Sequence, residues 1–150
     1  MLKEELPISA WQVLKAKLSL HLMLSIPAVL FAGICAVIGL GFTGPEAVLV
    51  ILVPSAFALL TGAFGLMLGT IRANLVWTNE MYPIKQSLAV FLTMAVGWAI
   101  AAALLLLYLV LMTRVDELPY LAAALAVMLV LSLLIIRWLM TRGAARFEQL

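Results

Sequence analysis

Charged residues in this chain fall into short clusters that are separated by long apolar stretches. Four stretches, at residues 18–41, 47–71, 88–112 and 118–136, contain no Asp, Glu, Lys or Arg. Each is 19 to 25 residues long, and a helix needs about 20 apolar residues to cross a bilayer. Lipid offers no hydrogen-bond partners, so each crossing segment must satisfy its own backbone, which favours helices. The pattern predicts an all-α, polytopic membrane protein with four transmembrane helices.

Composition supports a membrane protein and excludes several other classes. The 150 residues are 67% apolar and 11% charged, whereas an average soluble domain is roughly 45–50% apolar and about 25% charged. The net charge of +2 does not indicate the strongly basic surface that nucleic-acid-binding proteins have. A single cysteine, Cys35, excludes an internal disulfide and a cysteine-built metal site. Without an internal repeat or a low-complexity linker, residues 1–150 are interpreted as one transmembrane domain.

The positions of Lys and Arg predict the orientation. Eight of the nine basic residues belong to the N-terminal segment, the middle connection or the C-terminal tail: Lys3, Lys15, Lys17, Arg72, Lys85, Arg137, Arg142 and Arg146. The other two connections contain Arg114 alone, beside Glu46, Asp116 and Glu117. Because cytoplasmic loops are enriched in Lys and Arg, both termini and the middle connection are expected in the cytoplasm.

The spans contain few residues that could take part in proton transfer, catalysis or metal binding. Their only ionisable candidate is His21, which is either an interfacial imidazole near Lys17 or a proton relay. They contain no acid, which a proton- or sodium-coupled carrier needs for coupling. The chain has no phosphate-binding Gly-x-x-x-x-Gly-Lys-Ser/Thr motif and no arrangement of residues typical of a catalytic or metal site. We expect a protein that is not an enzyme, holds no cofactor, and depends on another polypeptide for energy.

Three glycines in the second span are candidates for helix packing. Gly62, Gly65 and Gly69 lie along one stretch, and Gly65 and Gly69 form a small-xxx-small pair. Such pairs let a neighbouring backbone approach closely. The close approach can occur within the chain or in a dimer, and the sequence leaves both open.

A short cytoplasmic helix is predicted at about residues 10–17, ahead of the first span. Ser9 and Gln12 have the spacing of a capping box, in which each side chain satisfies a free backbone N–H. Trp11, Leu14 and Leu18 share one helical face. The pattern is typical of an amphipathic helix that lies on the inner leaflet before the chain turns into the membrane.

Three polar segments resemble type-2 ABC exporter permeases. The first is Leu-Pro-Ile-Ser at residues 6–9, followed by the apolar and basic helix. The second contains Trp-Thr-Asn-Glu at residues 77–80 and Pro-x-Lys-Gln-Ser at residues 83–87, and is similar to a loop in a bacterial subgroup of this family. The basic tail at residues 142–150 is the third.

The resemblance extends from residue 6 to residue 150 and implies a function. It implies a permease subunit in a bacterial cytoplasmic membrane, which couples ATP hydrolysis by a separate ATPase subunit to export. ATP would be bound by that partner. In this family the first segment forms the helix that docks on the ATPase. The implied coupling residues are Pro7, Ser9, Trp11, Lys15, Lys17, Trp77, Asn79, Glu80 and Lys85.

The chain departs from the family in two ways. Only Leu75 and Val76 separate Asn74 from Trp77, where the family has a longer basic stretch. The family also has further spans ahead of the coupling helix, so this chain resembles the C-terminal portion of a permease. A second permease copy, or a missing N-terminal half, is therefore an expected partner, together with membrane lipid.

Two alternatives remain at this point. A small proton-driven multidrug carrier has a similar size and number of spans, but its mechanism needs an acid within the membrane. A structural or regulatory membrane protein without transport activity needs none of the coupling residues. The apolar spans do not specify a substrate.

Overall fold

Four long helices account for almost all of the structure. The computed structural model describes residues 9–72, 82–111 and 114–143. These residues form no strand and consist of α1 (Ala10–Leu40), α2 (Gly44–Arg72), α3 (Tyr82–Leu111), α4 (Glu117–Trp138) and a π-helical turn, Leu139–Gly143. All four helices are long and apolar enough to cross a membrane. The predicted all-α fold with four spans is confirmed.

The first helix differs from its predicted form. Residues 10–17 are helical, but they continue into the first span as one helix of 31 residues instead of forming a separate element. Residues 10–26 contain no Gly or Pro, so nothing interrupts the backbone hydrogen bonds there. At 1.5 Å per residue, α1 is about 46 Å long, which exceeds the roughly 30 Å of the hydrocarbon core. One end of α1 therefore extends beyond the apolar layer.

A glycine turn makes α1 and α2 antiparallel neighbours. Gly41 ends α1 in the left-handed conformation, with φ of 70°, and its N–H donates to Val37 O. Phe42 N–H donates to the same carbonyl, at 3.1 Å. Further along the pair, a Cβ at Gly33 would lie 3.1 Å from Ile51 Cγ1. The two helices are therefore in close contact where α1 has no side chain.

The second helix is the centre of the bundle, because α1, α3 and α4 all pack against it. Small side chains are buried along it, among them Ala56, Ala58 and Ala63. Leu60 joins Met128 of α4 in the core. Close backbone approach at small residues is the usual source of helix association in lipid. Most large apolar side chains on α1 and α3 point outward, which is the surface that lipid tails solvate.

Tyrosines connect α3 to α4 near the short connection between them. Tyr108 Oη donates to Glu117 Oε1 at 3.1 Å, and Tyr120 Oη donates to the carbonyl oxygen of Leu104. The two rings lie 5.3 Å apart, tilted by 52°, within the range of favourable aromatic pairs. These contacts hold the end of α3 beside the start of α4.

Replacing Tyr120 with Phe tests this connection. The variant keeps the ring pair but loses the hydrogen bond to Leu104 O, so we expect a loss of about 1 kcal/mol in unfolding free energy. The control is Tyr108→Phe, whose hydroxyl bonds to an exposed carboxylate and contributes less. Thermal unfolding in detergent gives the comparison, and equal stability of the two variants would contradict the assignment.

Candidate coupling surface at the basic end of the bundle

Successive spans run in opposite directions, so one end of the bundle contains four of the helix termini. These are the start of α1, the end of α2, the start of α3 and the π turn after α4. We call this the basic end. Among residues 9–72, 82–111 and 114–143, the acids Glu46, Asp116 and Glu117 all lie towards the opposite end. The described part of the basic end therefore carries positive charge only.

A capping box starts α1 at this end. Gln12 N–H donates to Ser9 Oγ at 3.3 Å, and Ser9 N–H donates to Gln12 Oε1 at 2.9 Å. Gln12 N–H also approaches Ser9 O at 2.9 Å. These bonds satisfy N–H groups that a helix start otherwise leaves to water. The start of α1 is thus an ordered helix end and not a frayed one.

The apolar face of this helix start packs against the bundle. Leu14 and Leu18 are 2% and 8% exposed, and Ala10 is also buried. At this end α1 packs against α2 and the π turn. Because the helix continues into the span without interruption, the face that packs against the other helices within the span also packs against them at the helix start. Trp11, on the flank of that face, is half-buried.

The opposite face of the same two turns is polar and exposed. It carries Gln12 and Lys15, with Lys17 exposed nearer the flank. Ser19 continues this face, and its Oγ donates to Ala16 O at 2.9 Å. The helix start therefore combines an inner side that is tied to the bundle with an outer side that presents cations.

The π turn completes the basic end. Leu139 is 1% exposed and Gly143 is buried. A Cβ at Gly143 would lie 3.2 Å from Leu139 Cδ2 and 3.4 Å from Trp138 Cζ3. Residues four apart lie on the same side of a helical turn. The turn therefore keeps both residues 139 and 143 against the bundle.

The structure places some of the predicted coupling residues at this end. Ser9 caps α1, and Trp11, Lys15 and Lys17 lie on its first two turns. Lys85 belongs to the first turn of α3, at the same end of the bundle. Four others lie outside the described residues: Pro7, Trp77, Asn79 and Glu80.

His21 lies one turn further into the membrane and joins α1 to α2. Its Nε2 is 3.3 Å from Ala58 O, so the imidazole donates through Nε2–H. The ring occupies the space above Gly62, where a Cβ would overlap its Cδ2 atom. The other side of the ring is exposed. His21 therefore has an interhelical role that its position in the sequence did not indicate.

The three predicted packing glycines differ in their surroundings. Gly62 faces His21 of α1, and a Cβ at Gly65 would lie 3.3 Å from Thr93 Cγ2 of α3. Among the described residues, no atom lies within 4 Å of the Cβ position at Gly69. Gly97 of α3 repeats the close approach from the other side, 3.6 Å from Thr61 Cγ2. Glycines of α2 thus allow both α1 and α3 to approach it closely within one chain.

Leu139→Ala tests the packing of the basic end. Removing a side chain that is 1% exposed leaves a cavity, and we expect a loss of about 2–5 kcal/mol in unfolding free energy. The matched control is Met140→Ala, because Met140 is the next residue in the chain and its side chain is 52% exposed. Thermal unfolding in detergent should show a lower Tm for the first variant only, and similar losses in both would argue against the buried end.

Gly62→Ala tests the contact with His21. The added methyl group displaces the imidazole and breaks its bond to Ala58 O, so we expect a loss of about 1–3 kcal/mol. In a His21→Ala background the same change should cost much less, as expected for two residues in contact. Gly69→Ala, whose added methyl group meets no atom of the described residues, is the control. Additive effects of the two changes would contradict the contact.

A comparison of this chain with protein-family models, curated proteins and solved structures finds no match. Its function is therefore inferred from its residues and their geometry.

Proposed function

We propose that the chain is the membrane subunit, or the C-terminal part of one, of an ABC-type exporter. The observation that carries the proposal is the start of α1, a capped helix whose first two turns carry Lys15 and Lys17 ahead of the charge-free stretch. Its outer face presents Gln12 and Lys15, and its inner face is anchored through Leu14. A displacement that a partner imposes on this helix end is transmitted to the span without an intervening hinge. The resemblance of residues 6–17 and 77–87 to permease segments supports the same assignment.

The source of energy in this proposal is a separate ATPase subunit. Transport then requires that the helices pack in two alternative arrangements. The nucleotide bound to the partner determines which arrangement is favoured. Contacts made by Gly62 and Gly65 suit such a change, because small interfaces slide with few side chains to rearrange. The coupling residues would be those of the first segment together with Trp77, Asn79, Glu80 and Lys85 of the middle one.

The proposed location is a bacterial cytoplasmic membrane, with the basic end in the cytoplasm. The excess of Lys and Arg at that end supports this orientation. Both α1 and α3 expose most of their apolar side chains. A second permease copy or an N-terminal half would cover part of that surface, and lipid would cover the rest.

A proton-driven carrier has less support. In the described residues, Glu46 and Glu117 lie in the first turns of α2 and α4, far from the middle of the membrane. His21, in the first span, is engaged with a backbone carbonyl. A protein without transport activity is distinguished from the proposal by the experiment below.

Trp11→Glu tests the coupling surface. The protein is purified from its native membrane with its associated ATPase, and ATP hydrolysis by the complex is measured in lipid vesicles. We expect the variant to insert normally but to lose most of the nucleotide-dependent coupling, because a carboxylate replaces a half-buried indole at the docking helix. Trp11→Phe should retain it.

Two further variants separate docking from folding. Lys15→Glu reverses an exposed charge without altering the core, and we expect it to weaken the complex as well. Arg114→Glu makes the same charge change at the opposite end and should be neutral. The proposal fails if no ATP-hydrolysing subunit accompanies the wild-type protein, or if Trp11→Glu and Lys15→Glu both hydrolyse ATP as the wild type does.

A further inference from the structure

Two arginines at the end of α4 are not used by the proposed coupling surface. Arg137 lies in the last turn of α4 and Arg142 lies in the π turn, and both side chains are exposed. Between them, Trp138 is half-buried and lies against the Cβ position of Gly143. Thr141 Oγ1 donates to Arg137 O at 3.0 Å, which secures the backbone of the turn. The two cations are therefore held on an ordered helix end.

The π turn determines which way Arg142 points. Leu139 and Gly143 occupy the inner side of the turn and are buried. The residues between them, which include Arg142, consequently lie on the outer side. Since the inner side is fixed by packing, Arg142 remains outside the bundle while the helix end stays folded.

The depth of the two arginines in the membrane follows from the length of α4. Arg137 comes twenty residues after Glu117, the first residue of the helix, which is about 30 Å at 1.5 Å per residue. The hydrocarbon core has about this thickness. With Glu117 at one boundary, Arg137 lies at the other boundary, and Arg142 lies about 7 Å further out, within the headgroup layer.

Charge and chemistry at this depth favour one ligand. A guanidinium group donates two parallel hydrogen bonds to a phosphate, and tryptophan is typical of the membrane interface. Among the described residues the acids lie towards the opposite end, so none of them competes for these arginines. We propose that Arg137 and Arg142 bind the phosphate groups of anionic phospholipids in the leaflet at the basic end, with Trp138 beside the headgroups.

This binding does not depend on the exporter assignment. The arginines belong to α4 and the π turn, whereas the proposed ATPase contacts belong to α1 and the middle segment. The lipid would hold the end of α4 at a fixed depth. Because the π turn packs against α1 and α2, the bound lipid would also stabilise the whole basic end.

The test measures lipid retention and thermal stability of the full chain in a mild neutral detergent. Phosphatidylglycerol, cardiolipin, phosphatidylcholine or inorganic phosphate is added at matched phosphate concentration. Retained lipid is counted by native mass spectrometry and Tm is recorded in parallel. The variants are Arg137→Gln/Arg142→Gln, the corresponding double Lys variant, and Arg114→Gln as the matched control at the opposite end.

For the wild type we expect both anionic lipids to be retained and to raise Tm, with phosphatidylcholine and inorganic phosphate having little effect. Each basic side chain near an anionic surface contributes about a factor of five, so the double Gln variant should retain about 25-fold less anionic lipid. Its Tm without lipid should equal that of the wild type. The double Lys variant should keep part of the binding, because lysine retains the charge without the paired donors.

Several results would overturn the proposal. One is undiminished retention of anionic lipid by the double Gln variant, and another is an equal loss in Arg114→Gln. An equal rise of Tm with inorganic phosphate would indicate a soluble phosphate ligand instead. If the double Gln variant loses a protein partner from native membranes while retaining lipid, the arginines serve protein docking and not lipid binding.

Discussion

The structure depends on the close approach of three helices to α2. In lipid, apolar surface gains nothing by leaving one apolar environment for another, so helices associate through tight packing and a few polar contacts. The surface of α2 meets this requirement with small residues. Ala63 is fully buried, and Gly62 and Gly65 receive side chains from α1 and α3. Larger residues at these positions would separate the helices and remove most of the attraction between them.

Hydroxyl groups inside the bundle bond to their own helices. Ser55, Thr70 and Ser132 each donate to the carbonyl four residues earlier, at 2.7 to 2.8 Å. A hydroxyl that is bonded in this way costs little in an apolar medium. These residues therefore let α2 and α4 carry polar atoms without a water-filled path beside them. His21 differs, since its bond crosses from one helix to another.

Tight burial extends from the middle of the bundle to the basic end. Leu14 and Leu139 are among the least exposed large side chains, although both lie near the ends of their helices. Packing of this kind joins α1, α2 and the π turn into one unit. In the proposed exporter, a force on the start of α1 would act on the end of α4 directly. The tyrosine pair at the other end of α4 then carries the movement to α3.

The sequence alone determined the four spans, the charge difference between the two ends, and the helix start at Ser9. Each depends on local properties: apolar length, the positions of Lys and Arg, and a side chain that reaches a backbone N–H three residues away. It left open whether the packing glycines act within the chain, and all of the coupling residues remain predictions.

Only the tertiary structure decided which face of α1 is covered, which glycines receive a neighbour, and that His21 bonds to Ala58. It also showed that Tyr108 and Tyr120 form a pair and that a π turn buries Leu139. The physical reason is that an apolar side chain has a similar free energy in contact with lipid tails and in contact with another helix. Composition therefore specifies that a segment lies in the membrane, while only the position of a neighbouring helix specifies which of its faces is packed.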